Sequence, residues 1–265
     1  MHESKTDINN GKHGIAGSTL KIIALVTMLI DHIAAALLER MISSGWIDAY
    51  QGNGNIFADN IIIIYIVMRF IGRLGFPLFI FLLVEGFEHT RNKYKYLARL
   101  SVFALISEIP FDIAFNLDCG EVLSGKILEF TYQNVFFTLA TGLLVLICIF
   151  RVEQSGLNSI LKRICMILIL LTGMAAAKVL HTDYSWVGVL AIVVMYIFRK
   201  NRVRAANYTC ITLLLSSGSE VTAFLILPLI AAYNGMRGIK LKYVFYIFYP
   251  MHLLIIGIIC VMMGI

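Results

Sequence analysis

Nine apolar runs, several carrying an ionisable residue near their middle, restrict this chain to one kind of solvent. They fall near 19–39, 59–87, 97–116, 131–150, 161–180, 184–198, 205–217, 219–233 and 243–264. One bilayer crossing takes about 20 apolar residues. Of the 265 residues 59% are hydrophobic and only 14% charged, more apolar surface than a water-soluble domain of this length can hide. The expected fold is all-α: a polytopic integral membrane bundle of about nine transmembrane helices, built from residues 19–265 as a single domain. Residues 1–18 are polar, rich in Gly, Asn and His, and expected to be a disordered cytoplasmic leader. Ala34-Ala35-Ala36 could mimic a signal-peptide cleavage site, but Asp31-His32 inside the apolar run and the long polar lead argue against one.

A net charge of +6 would suit nucleic acid if the basic residues shared a surface. They instead fall in short segments between runs: Lys5, Lys12 and Lys21; Arg91, Lys93, Lys95 and Arg99; Arg151, Lys162 and Arg163; Arg199, Lys200, Arg202 and Arg204; Arg237, Lys240 and Lys242. With the N-terminus inside, each of these groups is cytoplasmic, as the positive-inside rule requires, and the C-terminus lies outside. The second run is too long for one upright helix, and "GRLGFP" (72–77) predicts a kink or break there. The stretch 205–233 reads as two short helices split by "SSGSE", because a single helix would place the basic 234–242 loop outside.

Charged side chains at mid-bilayer cost roughly 2.5–3.5 kcal/mol each on insertion scales, so those in the runs mark chemistry or transport. Asp31 and His32 occupy the first run. Lys21 precedes His32 by three helical turns on the same face, roughly 16 Å nearer the cytoplasm; it either forms a cationic mouth for an extended anionic ligand or simply marks the end of the helix. Arg69 and Arg73 repeat at i,i+4, as do Glu108 and Asp112 around Pro110, and these pairs could neutralise each other as an interhelical clamp. His252 lies inside the last run with Tyr249 one turn before it. "HTDYSWVG" brings Asp183 and Tyr184 to an outer end, as a helix cap or the lip of an acceptor site. The five cysteines form no metal or CxxC spacing, and no HExxH, Walker loop or GxGxxG occurs, so no metal is expected.

"LKIIALVTMLIDHIAAALL", "RFIGRLGFPLFIFLLVEGFEHTRNKYKYLARL", "FALISEIPFDIAF", "QNVFFTLATGLL", "DYSWVGVLAIVVMYIFR" and "FYIFYPMHLLI" together resemble the TraX family of bacterial membrane proteins, over about residues 18–255 and most specifically in the MxxDH and GRxxFPxF blocks. Ser185 stands where that pattern has glycine. The family is associated with N-terminal acetylation of pilin. Lys21, ten intervening residues and His32 are also similar to the first-span signature of acyltransferase family 3 and of heparan-α-glucosaminide N-acetyltransferase.

These resemblances imply a membrane acetyltransferase of the bacterial cytoplasmic membrane. Its co-substrate would be acetyl-CoA, with phosphates held by Lys21, Arg69, Arg73 and the 91–99 loop with Arg91 and Lys93. His32 would be general base or acetyl carrier. Asp31 lies about 100° round the helix from it, so Glu108, Asp112 or His252 is the better orienting group. Arg73 could face a developing oxyanion, and Asp183, Tyr184 and Tyr249 the acceptor, which could be a pilin-like amine, a peptide or an envelope glycan or lipid. From the residues alone, a proton-coupled transporter or flippase using the same buried Asp, Glu and His is the alternative, and a non-catalytic assembly partner a third.

Overall fold

The structure, a computed structural model, describes residues 14–52, 54–239 and 242–265. Residues 1–13 of the expected leader, with Lys5 and Lys12, lie outside the described residues, as do Lys240 and the side chain of Lys242. Residues 14–18 are described, and their backbone is hydrogen-bonded to the 232–237 segment. Ile15 donates to the Ala232 carbonyl at 2.9 Å and accepts from the Asn234 amide at 3.0 Å, and helix begins at Gly17.

Every regular element among the described residues is helical. Helix α1 runs from Gly17 to Ser43 and loosens into a π-turn at Ile33–Leu38, starting at the residue after His32. A short 3-10 turn, Trp46–Tyr50, leads to α2 (Ile56–Gly72) and α3 (Gly75–His89). These form one long crossing interrupted at Arg73–Leu74, inside the expected 72–77 break. Pro77 has no N–H to offer the Arg73 carbonyl four residues earlier, which is a sufficient cause. Helix α4 (Lys93–Phe111) holds Pro110 and opens into a second π-turn, Asp112–Asn116.

After a loop containing the short helix Cys119–Leu123 come α5 (Val135–Glu153), α6 (Ser159–Val179), α7 (Ser185–Ile197) and α8 (Arg202–Leu213). A 3-10 segment, Gly218–Leu225, then runs into α9 (Ile226–Ala231), and α10 (Lys242–Met263) closes the chain. The stretch 205–233 is thus two elements. Asn55, Asn92, Asn134, Asn158 and Asn201 each accept a first-turn backbone N–H with their side chains, satisfying donors that a helix start otherwise leaves free.

The nine expected runs all coincide with helical segments, but unequally. Five are long and apolar enough to cross a membrane: Gly17–Ser43, Ile56–His89, Val135–Glu153, Ser159–Val179 and Val244–Met263. Helix α4 carries Lys93, Lys95, Arg99 and Glu108 along its length, and α7 has 13 residues, about 20 Å at the α-helical rise. Helices α5, α6 and α7 pack together, with α8 against α7; α1 lies between α2, α3 and α10, and α10 also packs on α4. Small residues permit the close approaches. A Cβ on Gly142 would meet Ile192, and one on Gly72 would fall on the side chain of Asp31. That second approach brings α1 against the break in the second crossing and places Asp31 within reach of the two arginines there.

Candidate active site

His32 and His252, 220 positions apart in sequence, meet between α1 and α10. His32 Nδ1 lies 2.6 Å from His252 Nε2. The rings are parallel to within 4° with centroids 5.0 Å apart, a separation that the N···N distance and the two ring radii account for, so they sit edge to edge in nearly one plane. His252 Nδ1 lies 2.7 Å from the Phe248 carbonyl. A carbonyl only accepts, so His252 carries its proton on Nδ1 and presents the lone pair of Nε2. His32 Nδ1 must then donate, which leaves the lone pair on His32 Nε2. Among the described residues that nitrogen has no hydrogen-bond partner. Phe115, from the π-turn after α4, and Tyr249 pack edge-on to the His32 ring at 5.5 and 5.8 Å. Each π-turn therefore adjoins or supplies a residue of this site, a placement common for π-bulges.

A cavity of about 580 Å³ is lined as far as Met28 and Tyr249, the neighbours of the pair, with neither imidazole in its wall. Its mouth holds Lys21, His89, Arg99 and Arg237, and its deep end Leu25, Met28 and Tyr249. Met28 is one turn before His32, and Tyr249 touches both imidazoles, with its ring 5.7 Å from that of His252. Lys21 lies over the Phe245 ring at 5.6 Å; among the described residues neither it, Arg99 nor Arg237 has a carboxylate partner within salt-bridge distance. Glu85, on the same wall, is neutralised by Arg202 at 3.2 Å. The other expected phosphate ligands are elsewhere. Arg91 is exposed in the turn before α4, and Lys93 is held over Phe87 and Phe150 at 4.7 and 4.5 Å. Arg69 and Arg73 do not line the cavity.

Those two arginines pair with different acids from the ones expected. Arg69 reaches Asp31 at 2.8 Å, and Arg73 lies 3.7 Å from Asp31 and 3.0 Å from Glu220. Glu220, in the 3-10 segment before α9, is 1% exposed, although in the sequence it reads as part of a polar break. The Arg73 guanidinium also donates to the Tyr184 hydroxyl at 3.5 Å. Two guanidiniums facing two carboxylates satisfy the demand that charge buried at this depth be compensated. Asp31 is turned into this layer and does not orient His32.

Glu108 and Asp112 brace the scaffold. The buried Glu108 carboxylate accepts from the Asn134 side chain, which also donates to the Ala104 carbonyl at 2.8 Å. Asp112 accepts from Asn116 at 2.7 Å and from the Glu129 amide at 2.9 Å, fastening the loop before α5. Among the described residues neither carboxylate pairs with an arginine or a histidine, and of the proposed orienting groups only His252 touches His32.

The turn into α7 is held by Gln133, which donates to the His181 carbonyl at 3.1 Å and accepts from the Asp183 amide at 2.9 Å. Asp183 is exposed, its carboxylate accepting from the Tyr184 amide at 3.0 Å, and Tyr184 stacks on Phe76 at 3.7 Å. His181, Tyr184 and Ser185 have φ of 48°, 58° and 46°, a left-handed conformation costing side-chain-bearing residues about 1–2 kcal/mol. The departure from glycine at position 185 thus falls where glycine would be unstrained. Ser185→Gly is expected to stabilise the protein by about 1 kcal/mol, read as a higher unfolding temperature in detergent; a lower one would show that the serine side chain outweighs the strain.

Helical crossings that enclose a paired imidazole and a cation-rimmed cavity define a polytopic membrane protein with a polar interior site. No group of three potential metal ligands occurs among the described residues. The TraX protein family matches residues 16–260, and the chain belongs to that family. It is also 32% identical over 251 residues, covering 88% of this chain and 91% of the relative, to a probable fimbrial assembly protein FimC, serogroup H1, of Dichelobacter nodosus. No solved structure matches.

Proposed function

We propose that this chain is a membrane-embedded acetyltransferase that uses cytoplasmic acetyl-CoA. The observation that carries this reading is the carbonyl–His252–His32 relay beside the deep end of a cavity with an unneutralised cationic mouth. Lys21, Arg99 and Arg237 suit the phosphates of coenzyme A, the guanidiniums by paired hydrogen bonds. The thioester arm then runs inward along the roughly 16 Å between the level of Lys21 and that of His32.

His32 Nε2 takes the proton of the incoming amine or hydroxyl as its N or O attacks the thioester carbonyl carbon. The carbonyl π electrons move to oxygen. Collapse of that adduct breaks the C–S bond, and the leaving thiolate recovers the proton from His32, giving acetylated acceptor and free coenzyme A. The fimbrial assembly role printed for the relative supports a filament-subunit amine as acceptor, met near Asp183 and Tyr184.

Purified protein is expected to bind acetyl-CoA saturably, with affinity falling at least tenfold in a Lys21→Ala, Arg99→Ala, Arg237→Ala variant as phosphate contacts are lost. Absence of saturable binding by the unaltered protein would reject the reading. Nine crossings with the N-terminus inside and the C-terminus outside, in the bacterial cytoplasmic membrane, accord with the basic loops. A cysteine at Ser124 is then labelled by an impermeant maleimide added to intact spheroplasts, and one at Gly156 only after lysis; the reverse pattern inverts the topology.

A further inference from the structure

The geometry points to Tyr249 as the hydrogen-bond donor to the thioester carbonyl oxygen while it becomes an oxyanion, an assignment that rests on the transferase reading above. Tyr249 lines the deep end of the cavity, is 2% exposed, and stands edge-on to both imidazoles with centroids 5.8 and 5.7 Å away. Its ring is wedged against Phe136 at 4.8 Å, which fixes where the hydroxyl sits. Val135 is the first residue of α5, and its backbone N–H is one of the donors a helix start leaves without an intrahelical partner. The Asn134 side chain serves the next amide, that of Phe136. Val135 and Phe136 line the same cavity as Tyr249.

At the deep end Tyr249 supplies a hydroxyl beside Leu25 and Met28, whose side chains have no hydrogen to donate. A neutral phenol gives its proton to a hydrogen bond with a carbonyl oxygen without having to ionise. A preorganised donor beside the base is what acyl transfer requires at the carbonyl oxygen. Arg73, the residue expected for that task, is committed to Asp31 and Glu220 outside the cavity. No proton is transferred to the oxyanion: the hydrogen bond strengthens as the carbonyl π electrons move to oxygen and relaxes when the C–S bond breaks.

The test uses inside-out membrane vesicles containing the full chain, labelled acetyl-CoA as donor, and the envelope's own acceptors, with incorporated label read as an initial rate. Tyr249→Phe removes one oxygen and keeps the ring. It is expected to lower the rate at saturating acetyl-CoA about a hundredfold, with KM for acetyl-CoA changed less than about threefold. A Tyr249→Phe protein with the wild-type saturated rate, or one changed in KM alone, overturns the role of the tyrosine and leaves the transferase reading standing. No label incorporation by wild type above that of a His32→Ala control sinks the transferase reading itself, and the role of Tyr249 with it.

Discussion

His32→Ala is expected to lower acetyl transfer about a thousandfold, within the range measured for the loss of a general base, or roughly 4 kcal/mol of transition-state stabilisation. The effect follows from which nitrogen is free. The Phe248 carbonyl fixes the proton of His252, His252 fixes that of His32, and the remaining lone pair on His32 Nε2 is the base. The same logic ranks substitutions at His252. In His252→Gln the amide oxygen can still accept from His32 Nδ1–H, so the useful tautomer survives and the loss is expected to stay near tenfold. His252→Leu leaves His32 free to adopt either tautomer and to turn, and about a hundredfold is expected, comparable to the loss of other groups that orient a base. Initial rates of label transfer from acetyl-CoA measure all three. Wild-type turnover by His32→Ala would remove this imidazole from the chemistry, and equal losses for the two His252 variants would refute the tautomer argument.

The backbone was more legible in the sequence than the pairing of its charges, for a physical reason. Apolar periodicity and chain breakers act locally, so the runs, the interruption at 72–77 and the division of 205–233 could be read from neighbouring residues. The two buried histidines stood out because each is costly in lipid on its own. Which carboxylate meets which guanidinium depends on how helices rotate against one another, and that is set by close approaches such as Gly72 against Asp31. Equal spacing of Arg69/Arg73 and Glu108/Asp112 therefore suggested a clamp that packing does not make. Glu220 escaped notice because a carboxylate at the start of an apolar run resembles a loop residue; only folding shows it 1% exposed. Arg99 and Arg237 read in the sequence as topology signals, and their convergence with Lys21 on one cavity mouth requires three separate segments to assemble. The asparagine caps are a local signal, since Asn before a helical run marks a start in its own right.

Removing Arg73 should do more to the fold than to the reaction. Its side chain is 13% exposed and that of Glu220 1%, so Arg73→Leu strands an almost wholly enclosed carboxylate beside Asp31, which still has Arg69 at 2.8 Å. Breaking a buried pair by deleting one partner costs about 3–5 kcal/mol, whereas replacing both partners with apolar residues is often neutral. The expected result is a large fall in unfolding temperature, about 10 °C for a chain of this size, followed by substantial recovery in Arg73→Leu/Glu220→Leu. The two residues are in contact, so their effects should be strongly non-additive. Thermal unfolding of the purified proteins in one detergent measures the cycle, and a double variant no more stable than Arg73→Leu would mean that the pair does not act as a unit. Activity of the double variant separates structure from chemistry. Arg73 lies outside the cavity, so the refolded core should retain transfer within about tenfold, while Tyr249→Phe, with its charge layer intact, should not. An inactive but stable double variant would instead return Arg73 to the carbonyl oxygen, the task Tyr249 is assigned above.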